Sequence, residues 1–157
     1  MTKQEIEYTV VIIRVGMCPE IYEKIKPTLN IAKGAYATEL SLITGEKELF
    51  YKIDKEDDPA TMYCLAVDKD NAVLGFILLE LEPRTLTLWT SHVYVRPEVR
   101  KQGVYRLMME RVKKFAKDCK FNRVISVVHV TNKDSQWAHR KIGFKKCWQG
   151  YEIPMEN

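Results

Sequence analysis

The stretch Val93-Tyr-Val-Arg-Pro-Glu-Val-Arg-Lys-Gln-Gly-Val-Tyr105 decides the reading of this chain. It runs from a β-branched, alternating segment through a proline-bearing loop into a glycine that opens a helical pattern. Val104, Met108, Val112, Phe115 and Cys119 then recur as an apolar stripe, with Arg106, Glu110, Lys113 and Lys117 on the opposite, wet face. A helix start leaves backbone N–H groups unpaired and carries a partial positive charge, so a phosphate placed in such a loop meets several donors already aimed at it. Gly103 lets the backbone approach closely, and Arg100 and Lys101 add formal charge. The junction is a candidate diphosphate cradle, although an ordinary strand-to-helix turn with solvated cations has the same local pattern.

Outward from this junction the chain alternates strand and helix signals. Upstream, residues 62–67, 72–80 and 85–95 are strand-like and are joined by Asp-Lys-Asp-Asn and Glu-Pro-Arg, which predicts an antiparallel meander. Residues 9–15 (TVVIIRV) predict a first strand, followed by Gly16 and by Pro19, a residue suited to a first helical turn. Two helices are expected next, one stopped by Pro27 and one over residues 31–43 with Gly45 just past its end. Downstream, residues 123–130 read as a strand buried on both faces, residues 134–141 as a short helix ending at Gly143, and residues 144–153 as a last strand. The expected order is βααβββαβαβ, an α/β (α+β) fold with a mixed, mostly antiparallel sheet flanked by helices.

Length and composition bound what such a chain does. Its 157 residues, 46% hydrophobic and 29% charged, fit one folded domain over residues 1–157 and exclude a disordered or low-complexity chain. The formal net charge of +4 is a mild bias, concentrated over residues 96–120, where Arg and Lys outnumber Asp and Glu. Cys18, Cys64, Cys119 and Cys147 are scattered and form no Cys/His cluster of metal-ligand spacing, so reduced thiols and no metal are expected. Residues 1–8 are polar and the longest apolar run, residues 72–81, is interrupted by Glu80, so the expectation is a cytoplasmic protein with no membrane segment.

A second constellation lies beyond the strand at residues 123–130. Asn132 is followed by His139 and then by Lys141-Ile-Gly-Phe144. Together with the first junction, this resembles the GNAT superfamily of N-acetyltransferases, which use acetyl-coenzyme A. The family's phosphate motif is Arg/Gln-x-x-Gly-x-Gly/Ala, and Arg100, Gly103 and Tyr105 occupy its three defining positions. Val93, Val95 and Pro97 match the preceding V-x-V-x-P, and Asn132 with Gly143-Phe144 matches the family's ending. Tyr105 stands where the family usually places Gly or Ala, and His139 where many members have Tyr.

The resemblance implies that the backbone of Val93 and Val95 pairs with the pantetheine arm. It likewise implies that the backbone N–H groups of Lys101, Gln102, Gly103, Val104 and Tyr105 hold the pyrophosphate, and that the Asn132 side chain bonds the arm from the other side. The implied reaction is direct transfer of acetyl to a neutral amine, which needs a route to remove the amine's proton, an oxyanion donor and an acid for the thiolate. Imidazole titrates at about 6.5, so His139 is the expected general acid. The base is less evident. Period-two alternation puts Trp89, Ser91, Val93 and Val95 on one face and His92 and Tyr94 on the other. Ser91 is the expected relay of a proton through water; Glu80 and Glu82 are alternatives, and His92 is expected to face away.

Acceptor choice is expected to come from residues 30–36 and 46–59, whose acidic run Glu56-Asp57-Asp58 reads as solvated charge rather than as an attractor of a cationic amine, with Trp137, Trp148 and Tyr151 as pocket walls or, more commonly for aromatics, as packing. The acceptor is a small-molecule or peptide amine in this reading. A non-catalytic cofactor- or partner-binding module of the same fold is the alternative, and a nucleic-acid binder using the basic stretch is the weakest, since no stacking aromatics interleave with it. Trp148 and Tyr151 would make a homodimer edge.

Overall fold

The computed structural model describes residues 5–45, 57–129 and 131–147. Strands β1 (Tyr8–Arg14), β2 (Met62–Asp68), β3 (Val73–Glu82), β4 (Thr87–Val95) and β5 (Arg123–Ser126) form one sheet in chain order, antiparallel except for the parallel β4–β5 pair. That parallel joint requires a crossover, and helix α2 (Val104–Asp118) supplies it. Helix α1 (Pro19–Thr44) covers one face of the sheet, where Tyr22, Ile25, Leu29 and Ala32 pack on Tyr63, Leu65, Phe76 and Tyr94. Met108, Met109, Val112 and Ala116 of α2 cover the other against Cys64, Ala66, Ile77 and Leu88. Helix α3 (Lys133–Lys141) follows β5.

Three expectations change at this level. The two helices expected on either side of Pro27 are one 26-residue helix that carries Pro27 inside it. Proline costs a helix interior about 3 kcal/mol. The buried stripe continues through it from Tyr22 and Ile25 to Leu29 and Ala32. Burying each large apolar side chain is worth roughly 1.5–3 kcal/mol, so packing outweighs the local penalty. The strand expected over residues 123–130 ends at Ser126, and Val127 is exposed. Of the last expected strand, residues 144–147 are irregular, and residues 148–153, with Trp148 and Tyr151, lie outside the described residues.

Asp57 is not a solvated loop charge. Its side chain is 5% exposed and takes Lys33 Nζ at 3.2 Å and Tyr63 Oη at 2.6 Å on Oδ1, and Tyr22 Oη at 2.6 Å on Oδ2. A buried carboxylate with its charge paired and both oxygens bonded pins the approach to β2 onto α1. Burial and the bond to Asp57 push the Tyr63 hydroxyl well above its ordinary pKa. Among the described residues no helix is long and apolar enough to cross a membrane, no group of three His, Cys, Asp or Glu is placed to hold a metal ion, and all four cysteines are free thiols.

Candidate active site

β4 and β5 run together only from Thr87 opposite Arg123 to Thr90 opposite Ser126. Beyond that pair β5 leaves the sheet, while β4 continues to Val95 with β3 as its neighbour. The parting opens a cleft of about 540 Å³ lined by Tyr36 and Leu40 of α1, Glu80 of β3, Thr90, Ser91 and Val93 of β4, Ser126, and residues 127–129. Its far wall is Asn132, Ser135 and His139.

The free edge of β4 presents defined backbone groups. Arg96 N–H bonds the Leu74 carbonyl at 2.9 Å, so by alternation the N–H and C=O groups of Val93 and Val95 point away from β3, toward the parted edge. Their side chains pack on the α2 face. Thus Val93 offers an extended ligand its N–H and C=O and Val95 its N–H, the Val95 carbonyl already accepting from Arg100 Nε.

A bulge resets the faces of β4. Leu78 faces His92 and Leu79 faces Thr90, which leaves Ser91 as the extra residue. Leu88 and Val93 therefore share the α2 face, and Trp89, opposite Glu80, joins His92 and Tyr94 on the α1 face. The strict alternation expected from sequence fails here for one reason: a bulge shifts every side chain on one side of it to the other face. His92, expected to face away, lines the cleft beside Ser91, with Nδ1 3.0 Å from Tyr36 Oη and the two rings edge-on. Burial, with the Glu39 carboxylate adding to it, pushes the Tyr36 hydroxyl up to about 12, so it remains protonated. Trp89 Nε1 donates to Glu82 at 3.1 Å, and this engages that carboxylate.

At the start of α2 the loop turns through two left-handed residues, Lys101 at φ 62° and Gly103 at φ 84°. No side chain caps the helix, and nothing lies within 4 Å of where a Gly103 Cβ would stand. The first-turn N–H groups thus face open space, an arrangement that fits a diphosphate. Lys101 and Gln102 are exposed there, whereas the Val104 side chain is buried in the core, which leaves its backbone for such a role. Arg100 differs from expectation. Its Nε donates to the Val95 carbonyl at 2.8 Å and its Nη2 to both Glu39 oxygens at 2.9 and 2.7 Å, while the guanidinium lies over Tyr94. Its charge is already paired with α1.

Tyr105 turns inward. Its ring lies 5.6 Å from that of His139, and its buried hydroxyl has no hydrogen-bond partner among the described residues. Asn132 Oδ1 accepts from Ser135 N–H at 3.2 Å and so caps α3, and its amide NH₂ remains for a second contact. His139, in the next turn, is 6% exposed, with Nδ1 2.7 Å from the Ser135 carbonyl and Nε2 2.7 Å from Ser126 Oγ. A carbonyl only accepts, so Nδ1 carries the proton and Nε2 is the bare acceptor. Burial lowers the His139 pKa, with the Ser135 carbonyl opposing, and this favours the neutral ring over the imidazolium.

Ser126 was not singled out in the sequence, and Tyr36 entered only as the end of the stretch 30–36 expected to choose the acceptor. Ser126 carries a signal all the same, as the polar residue within the otherwise apolar run VISVV. Tyr36 reads as one more member of an apolar helical stripe. Trp137 is 60% exposed with Lys141 over its ring and lies outside the cleft lining.

A family model described as the acetyltransferase (GNAT) family matches residues 25–144. Among solved structures, a nourseothricin acetyltransferase is similar at 27% identity and a TM-score of 0.53, over 59% of this chain and 55% of that one, so the match spans about half its length. A ribosomal-protein-alanine N-acetyltransferase from Brucella melitensis biovar Abortus shares the fold at 14% identity and a TM-score of 0.65, covering 96% of this chain and all of the other. An aminoglycoside N-acetyltransferase, AAC(6')-Iy, in complex with CoA, does so at 12% identity and a TM-score of 0.59, over 95% and 100% of the two chains. No curated protein matches the sequence.

Proposed function

The chain belongs to the GNAT acetyltransferase family, and from that membership we propose that it transfers the acetyl group of acetyl-coenzyme A directly to a primary amine of a small molecule or peptide. The observation that carries this reading is the parting of β4 from β5 in line with an uncapped, glycine-opened start of α2. Backbone N–H groups from Lys101 to Tyr105 would hold the pyrophosphate, the outward groups of Val93 and Val95 would pair with the arm, and the Asn132 amide would close over it. Bound there, acetyl-coenzyme A supplies an activated acetyl thioester.

The chain's own part is to position and to manage protons. Ser91 at the bulge lines the cleft with His92 and Tyr36, on whose side an acceptor amine would enter, and His139 lines it from α3. With the neutral ring favoured by burial, His139 would start as proton acceptor and become an acid only after taking a proton.

A melting scan with and without acetyl-coenzyme A, repeated on Gly103→Glu, tests the reading. At about 100 times its Kd the ligand adds roughly 2.7 kcal/mol, a shift of several degrees for this size. Wild type should shift and Gly103→Glu should not, since a carboxylate then stands at the helix start. No shift of the wild type at millimolar ligand would refute the proposal.

A further inference from the structure

Resting on the acetyltransferase reading, we propose that Ser126 is the catalytic residue that moves protons in the cleft, with His139 behind it as the positioning residue that stores the proton between its two transfers. Ser126 is the last paired residue of β5, at the point where the two strands part. An arm laid along Val95 and Val93 from the start of α2 runs toward this point, so its reacting end arrives beside Thr90, Ser91 and Ser126.

The hydrogen bonds around Ser126 suit a shuttle. At rest its hydroxyl donates to the bare Nε2 of His139 at 2.7 Å, because Nδ1–H is committed to the Ser135 carbonyl. A second acceptor, the Thr90 carbonyl, lies at 3.4 Å from the same Oγ. When Nε2 carries a proton the direction reverses, Nε2–H donates to Oγ, and the hydroxyl hydrogen is free for Thr90 or for a new acceptor. Both protonation states therefore have partners without movement of the backbone.

The step balances as follows. The amine nitrogen attacks the thioester carbon, the C–N bond forms and the C–S bond breaks. Ser126 Oγ takes the surplus N–H proton while its own passes to Nε2. Nε2–H then returns its proton to Oγ, whose hydrogen goes to the departing sulfur. Amide and thiol result, and Ser126 and His139 end as they began. A buried imidazolium parts readily with its proton, and a departing alkyl thiolate, a stronger base than imidazole, accepts it. Among the described residues packed on His139, Ser126 comes from β5, Tyr105 from α2, Ser135 from its own helix and Phe144 from beyond it. Tyr105 is the titratable group in that set, and burial pushes its hydroxyl far above its ordinary value, so it stays neutral.

The experiment compares wild type, Ser126→Ala and Ser126→Thr with acetyl-coenzyme A and a panel of primary amines across pH 5.5 to 9.5, alongside melting shifts and ¹⁵N resonances of His139. Ser126→Ala should lose roughly 100-fold or more in kcat. It should also lose the acidic limb of the pH profile, with its acetyl-coenzyme A melting shift retained, and Ser126→Thr should restore most of the rate and the limb. The His139 resonances should report the Nδ1–H form in wild type and a displaced Nε2 in Ser126→Ala. An Nε2–H form, or a Ser126→Ala rate within about tenfold of wild type with the limb intact, overturns this inference alone. A wild type without a melting shift overturns the acetyltransferase reading beneath it. If the protein binds acetyl-coenzyme A but accepts no amine in the panel, the His139 resonances decide.

Discussion

Arg100 and Glu39 stand 61 residues apart in the chain and meet through one guanidinium nitrogen on both carboxylate oxygens, at 2.9 and 2.7 Å. The pair ties the loop before α2 to the outer half of α1, and Arg100 Nε also holds the Val95 carbonyl. Arg100 is thus a brace between α1 and the end of β4, with its charge already matched. Glu39→Gln should leave acetyl-coenzyme A affinity within about fivefold by calorimetry, since removing a half-exposed partner is worth about 0–1 kcal/mol. A tenfold gain would instead show that Glu39 holds Arg100 back from the phosphates.

The Tyr105 hydroxyl is buried without a partner among the described residues, a state that costs about 1–3 kcal/mol. Tyr105→Phe keeps the ring packed on His139 and removes the orphan group. Its melting temperature should rise, by an amount equivalent to about 1 kcal/mol. A fall would mean that the hydroxyl bonds an ordered water.

The pH dependence of stability follows from His139. Burial lowers its folded pKa below the ordinary 6.5, so the unfolded chain binds the proton more readily. The contribution is complete above about 6.5 and is lost as pH falls from there through the lowered folded value. Melting temperatures from pH 8 to pH 5 should therefore drop more steeply for wild type than for His139→Gln. Parallel curves would remove His139 from the account.

Asp57 closes a buried cluster with Lys33, Tyr22 and Tyr63. Asp57→Ala leaves a buried ammonium and two hydroxyls without their acceptor, at a cost of about 3–5 kcal/mol. At roughly 2–4 °C per kcal/mol this lowers the melting temperature by on the order of 10 °C. A change under about 1 kcal/mol in chemical denaturation would show that the cluster adds nothing to folding. Tyr22→Phe and Tyr63→Phe should each cost less, and neither should add to the loss in the Asp57→Ala background, because they act through the same carboxylate.

Much of the architecture was legible in the linear chain because it rests on local signals. β-branched runs marked the strands, the stripe from Val104 to Phe115 marked α2, and the glycine at residue 103 marked its start. The spacing from that junction to Asn132, His139 and Gly143-Phe144 carried the resemblance to the family, since a motif is a local pattern of residue types. Boundaries where packing competes with propensity were not legible. Pro27 reads as a stop, yet the sheet beneath α1 holds the helix together through it.

The facing of side chains in the cleft was decided by tertiary structure alone. A bulge at Ser91 is a property of two strands in register, and a single strand's alternation carries no trace of it. It brings His92 and Trp89 to the α1 side of the cleft. Likewise Arg100 found Glu39, Asp57 found Lys33, and His139 found Ser126 only through contacts between distant segments. The types and spacing of residues thus determined most of the elements that form and the family to which the chain belongs. Which charges are neutralised, and which nitrogen of His139 bears its proton, depend on burial and on partners that only the folded chain brings within hydrogen-bond distance.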